Sequence, residues 1–182
     1  MGPKGTGKQL PDGTRKALAE AMAVPGGGSA GVPAGFTYLG QFTDHDLTFH
    51  KTNVMLGDHV APTPLLQAPS PSLNLDSLYA AGPTDPGSEQ FYEADGIHLK
   101  MGKTASGDGL ASKHGFDLPR GAGSTVAAKR KSIIPDPRND ENLAVAQTHL
   151  AMIRFHNRDD DTLGGGPAGT RFERARRKVT KH

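Results

Sequence analysis

The sequence has no cysteine and no tryptophan, and aromatic residues make up 5% of its 182 positions. Without cysteine there are no disulfides, no thiolate metal sites and no cysteine nucleophile. That fits a reducing compartment, and it fits an exported chain built without thiols equally well. Long apolar runs are missing too: none approaches the 18 residues that a membrane-spanning helix needs. Met1-Gly2-Pro3-Lys4-Gly5 carries no apolar segment of the secretory type, so no signal is visible. A cytoplasmic location and export without a visible signal both stay open. An excess of one charge is also lacking. The formal net charge of +2 gives no footing for a nucleic-acid partner.

What the chain does have is glycine (24) and proline (14), about a fifth of all residues. This composition predicts a mainly α chain: a modest number of helices around a thin core, joined by long irregular Gly/Pro-rich loops. Residues 1–11 read as a flexible N-terminal arm, and residues 12–182 as the folded part. A first helix runs from Asp12 or Thr14 towards Val24, with Ala17, Leu18, Ala21 and Met22 as its apolar stripe. Pro25 and the glycines at 26–28 stop it. A second helix covers about 36–48, where Phe36, Leu39, Phe42 and Leu47 form the stripe.

Residues 49–135 are the least regular. Pro62, Pro64, Pro69 and Pro71 exclude long helices before residue 72. Residues 73–79 are a short apolar segment with room for one helical turn. Phe91-Tyr92-Glu93 and Ile97-His98-Leu99-Lys100 flank Ala94-Asp95-Gly96, a hairpin signal. Residues 103–130 read as a loop. A third helix is predicted from Asn139 or Asp140 to about Arg158, on the spacing of Leu143, Ala146, Leu150 and Ile153. After the glycines at 164–166, a last helix begins near Thr170. Phe172, Ala175 and Val179 form one face of it, and Arg171, Arg174, Arg177 and Lys181 the other.

Two segments carry groups suited to chemistry. In the second helix Gln41 and His45 are one turn apart on one face, with Asp44 and Asp46 rotated about 100° to either side. Burying four such groups costs several kcal/mol unless each finds a partner. Two readings stand: a helix whose polar side lies in water, or a polar face built for chemistry. At the start of the third helix come Arg138 and Glu141. A carboxylate in a first turn suits the helix dipole or a capping box, whereas a cation there does not. Further along, His149 and His156 share a face, either as metal ligands or as buried structural histidines.

Gly40-Gln41-Phe42-Thr43-Asp44-His45-Asp46 resembles the Gly-Gln-x-x-Asp-His-Asp pattern of animal-type haem peroxidases, the peroxidase–cyclooxygenase superfamily. Asp136-Pro137-Arg138-Asn139-Asp140-Glu141-Asn142 is similar to that family's Asp-x-Arg-x-Asn-Glu segment. His149-Leu150 and Arg154-Phe155-His156-Asn157-Arg158 are similar to the helix that follows it. The likeness covers about 12–182 and is strongest at 36–49 and 133–158. It implies the N-terminal, distal portion of a bacterial-type member.

The resemblance implies a haem b cofactor, hydrogen peroxide and a small organic or halide donor as substrates, and a place in the response to oxidative stress. His45 is then the distal base that takes a proton from peroxide and returns it to the leaving oxygen. Arg138 stabilises the developing negative charge, and Gln41 holds a distal water or anion. Asp44 and Glu141 match carboxylates that form ester links to haem. Asn142 stands where some members have a haem-bonded methionine, so no sulfonium link is expected. Asp46 matches a calcium ligand. Ser72, Asn74 and Asp76 show the alternation of a calcium loop, which Leu78 breaks. The family's proximal histidine, which holds the iron, lies well beyond its distal arginine. Here only 44 residues follow Arg138. The expectation is therefore a distal half-site whose proximal half lies in a missing C-terminal part or a partner chain. A fatty-acid dioxygenase of the same superfamily, a non-catalytic fragment, and a metal hydrolase built on His45, His149 and the aspartates are the competing readings.

Overall fold

The computed structural model describes residues 11–22, 31–48, 73–104, 115–121 and 123–182. The predicted arm (Pro11 excepted), the glycines at 26–28, the prolines between 62 and 71, and Ser72 lie outside them.

The chain is mainly α, as its composition and periodicity predict. Its elements are α1 (Asp12–Met22), α2 (Gly35–Leu47), α3 (Asp76–Tyr79), β1 (Gly102–Lys103), β2 (Phe116–Asp117), α4 (Val126–Arg130), α5 (Leu143–Leu163) and α6 (Ala168–Lys181). Two short 3-10 turns, Glu89–Phe91 and Pro137–Asp140, lie between them. Among the described residues no helix is long and apolar enough to cross a membrane.

α5 is the central element, packing against both α2 and α6. It begins later and ends later than its apolar spacing suggests. Asn142 caps it, its side chain accepting from Val145 N. Arg138 and Glu141 therefore lie before α5, in and just after a 3-10 turn, so no dipole argument applies to either. α5 and α6 are joined through Gly164, Gly165 and Gly166, all three at positive φ, a backbone only glycine adopts cheaply. The buried carboxylates Asp159 and Asp160, near the end of α5, take Lys178 and Arg171 of α6 as partners. Phe172, Ala175 and Val179 are the buried face of α6, as predicted.

The core brings α3, α5, α6 and the 92–99 loop together. Tyr79, Tyr92, His156 and Phe172 form a ring cluster with centroids 5.2–5.8 Å apart, edge-to-face except for the tilted His156–Phe172 pair. Inside it each polar atom has a role. Tyr79 donates its hydroxyl to His156 Nδ1 (3.0 Å), and His156 Nε2 donates to Ile97 O (3.0 Å). Burial holds the His156 imidazole below its ordinary range, which keeps Nδ1 an acceptor. Asn157 meets the Leu99 backbone with both ends of its amide, imitating a strand partner.

Three expectations are corrected. The stripe of α2 points the wrong way: Phe42 is buried, but Phe36, Leu39 and Leu47 are exposed, while His45 and Asp46 are buried. In α1, likewise, Ala17, Leu18 and Ala21 are exposed. The predicted hairpin, by contrast, is present in short form: Tyr92 and Leu99 make an antiparallel bridge, and Glu93 N donates to His98 O and Lys100 N to Phe91 O around the turn at Ala94-Asp95-Gly96. The 103–130 stretch, which reads as loop, takes part in a two-stranded sheet that pairs Gly102 with Asp117 and Lys103 with Phe116, and α4 falls in the same stretch. Gly102 lets the strands meet: a Cβ there would lie 2.3 Å from Leu118 O.

His149 is the costly group of this core. It is fully buried, edge-on to Phe42, and neither ring nitrogen has a partner. Burial pushes its pKa down to about 3, against the weaker pull of Asp136. The unfolded chain takes up a proton near pH 6.5 and the folded chain does not. Stability from this residue is therefore intact above about 6.5 and falls by about 1.4 kcal/mol per pH unit down to about 3. His149→Leu should flatten the stability-against-pH curve in that window without destabilising the chain at pH 7. Urea unfolding at a series of pH values measures it, and an unchanged slope contradicts it.

Candidate functional site

The site forms where α2 meets the 3-10 turn before α5. Asp136 starts that turn, its side chain accepting from Arg138 N. Pro137 follows it, pre-set for a first helical position. Arg138 then bridges back. Its guanidinium pairs with the buried Asp136 (Nη2 to Oδ2 2.7 Å) and donates to His45 O (2.5 Å) and Thr48 Oγ1 (3.1 Å). Arg138 thus fastens the turn to the C-terminal end of α2.

The fastening sets Asn139, fully buried, against His45: Oδ1 lies 2.9 Å from Nδ1. The other ring nitrogen, Nε2, lies 3.7 Å from Glu141 Oε1. Gln41 Nε2 donates to that same carboxylate oxygen, and Asn142 Nδ2 reaches Gln41 Oε1 at 3.4 Å. Gln41, His45, Arg138 and Glu141, which sequence reasoning selects from segments about ninety residues apart, are thereby brought together. Asp44 is on the exposed side of α2, and the Glu141 side chain is half-exposed. Leu143, just beyond Glu141, is 79% exposed, so large apolar side chains at Phe36, Leu39 and Leu143 flank the polar group in sequence without entering the core.

Asp46 is not with them. It is fully buried, and its two oxygens accept from Leu75 N (2.8 Å) and Ser77 N (2.9 Å). Those bonds hold α3 to α2 and stabilise Leu75 at φ 61, a left-handed conformation costly for leucine. Asn74 Oδ1 and Ser77 Oγ, buried close by, have no partner. Asp76 lies 3.8 Å from Arg176 in an ion pair. His149 and His156 do not form a metal pair, since both nitrogens of His156 are engaged within the core. Among the described residues no group of three or more His, Cys, Asp or Glu side chains is placed to hold a metal.

Sequence reasoning missed Asp136, Asn139 and Thr48 as site residues. Asp136 was within reach of inference, standing two positions before an arginine at a turn. Asn139 was not, since nothing in the spacing shows that it faces His45. No family model matches the chain, and neither a curated protein nor a solved structure is significantly similar to it.

Asp46→Ala should cost about 2–4 kcal/mol, because it leaves two buried N–H groups without an acceptor. Thr43→Ala removes only an exposed bond to Leu39 O and should stay within about 0.5 kcal/mol of the parent. Chemical denaturation of the two variants checks the contrast; equal losses would show that Asp46 is not the tie.

Proposed function

We propose that this chain carries the distal side of a haem peroxidase site of the animal type, which reduces hydrogen peroxide at the expense of an organic or halide donor. The observation that supports it is the meeting of the two motif segments. Glu141 of one segment, bonded to Gln41 of the other, stands beside the His45 ring, and Arg138 bonds the His45 carbonyl.

The donor set suits the cofactor. Two accessible carboxylates, Asp44 and Glu141, are available for ester links to a ring. Exposed apolar side chains of α2 and of the start of α5 are what a flat apolar ring would cover. Haem, when bound, supplies the redox-active iron at which peroxide is cleaved. The rest is the work of this chain. His45 Nε2 takes the proton from the peroxide hydroxyl and delivers it to the departing oxygen. Glu141 and Gln41 flank that nitrogen and orient what approaches it. Arg138 holds the site together through Asp136, the His45 carbonyl and Thr48. These bonds support a clamping role, in place of the charge-stabilising role that the resemblance implies. No residue of the chain is assigned as the iron's axial ligand.

Calcium is left out of the proposal. Each oxygen of Asp46 already accepts a backbone N–H, Asp76 faces Arg176, and Asn74 and Ser77 add only neutral oxygens. A calcium ion needs six to eight oxygens.

The test adds haemin to the full chain, with imidazole in solution as axial ligand. A saturable Soret shift and peroxide-dependent guaiacol oxidation above the free-haemin rate are expected. His45→Ala should keep the Soret shift and lose about a hundredfold or more of the rate. Free-haemin spectra and rates for both proteins would overturn the proposal.

A further inference from the structure

We propose that Asn139 is a positioning residue that holds His45 in one tautomer, with the proton on Nδ1 and the lone pair on Nε2. A neutral imidazole has one N–H and two nitrogens to place it on. Around His45 both nitrogens face an oxygen, so the two oxygens compete for that hydrogen. Asn139 Oδ1 stands 2.9 Å from Nδ1, an ordinary hydrogen-bond length, while Glu141 Oε1 stands 3.7 Å from Nε2, beyond one. Glu141 Oε1 also accepts from Gln41 Nε2, which draws the carboxylate away from the ring. The closer acceptor takes the proton.

Asn139 is well placed to do this. It is fully buried, its backbone N donates to Asp136 O (3.1 Å), and the turn that bears it is bonded to α2 through Arg138. Its own Nδ2 is buried with no partner. Stability alone does not favour a buried asparagine with an unpaired amide nitrogen, and a role towards His45 accounts for it.

The chemical consequence rests on the peroxidase reading; the tautomer does not. With the proton on Nδ1, Nε2 is free to accept a proton from a substrate hydroxyl on the side of Gln41 and Glu141. In the opposite tautomer Nε2 already carries hydrogen and cannot accept one. Asn139 therefore acts through His45 and touches no reacting atom.

The experiment records long-range 1H–15N spectra of the full chain with 15N-labelled histidine, without haem, at about pH 8, where imidazoles are neutral. The expected spectrum of His45 is that of an Nδ1–H imidazole. Asn139→Leu removes the acceptor and should move His45 to the Nε2–H form. Asn139→Asp keeps an acceptor in place and should keep the Nδ1–H form, a rescue that a merely structural role would not produce. An Nε2–H signal in the parent chain overturns the proposal, as does the same tautomer in all three proteins. If circular dichroism shows Asn139→Leu unfolded, Asn139→Ala takes its place as the variant without an acceptor: a change to Nε2–H in it supports the proposal, and an unchanged Nδ1–H overturns it. Because haem is absent, a chain that never binds haem leaves this result standing, and a wrong tautomer leaves the haem-binding test untouched.

Discussion

The structure turns on the burial of a polar face. α2 puts His45 and Asp46 into the interior beside Phe42, and leaves Phe36, Leu39 and Leu47 outside. Such burial is affordable only if every group finds a partner. The partners come from two places far along the chain. Asn139 and Glu141 face the two sides of the His45 ring, and the backbone of Leu75 and Ser77 serves Asp46. One helix thus organises both the core, through α3, and the candidate site, through the turn before α5.

The same accounting separates neighbours that the sequence sets side by side. Asp44, His45 and Asp46 are consecutive, yet one is at the surface, one faces a polar cluster and one caps a helix. Arg138 and Glu141 are three residues apart, yet Arg138 secures the backbone while the half-exposed Glu141 faces the imidazole. Roles here follow from which atoms each side chain can reach. Adjacent positions on a helix, pointing about 100° apart, reach different ones.

Much of the fold could be read from the residues. The 3.6-residue spacing of Ala146, Leu150 and Ile153 and the Phe172, Ala175, Val179 face of α6 mark the buried sides of those helices. Leu143, read as part of the same stripe, is exposed, and the shifted bounds of α5 and its buried Asp159 and Asp160 do not show in the apolar spacing. The glycines at 164–166 mark the turn for a backbone reason. α2 defeated the pattern because its buried side is made of polar groups whose cost is cancelled by tertiary partners that no local spacing displays. β1, β2 and α4 were hidden for a related reason. Two-residue strands have no period to detect, and Gly102 reveals its purpose only when Leu118 is seen against it. Of the candidate site, the residues with obvious chemistry were legible. Asn139 and Asp136, which orient them, were not, since orientation is a property of the assembled turn.

The central claim is that Gln41 and His45 of α2 form one coupled site with Arg138, Asn139 and Glu141. A double-mutant cycle between His45→Ala and Asn139→Ala, read by urea unfolding, tests it most directly. Coupling of about 0.5–3 kcal/mol is predicted, the range found for residues in direct contact. Additivity within about 0.3 kcal/mol would mean that the two segments do not meet, and would contradict the account.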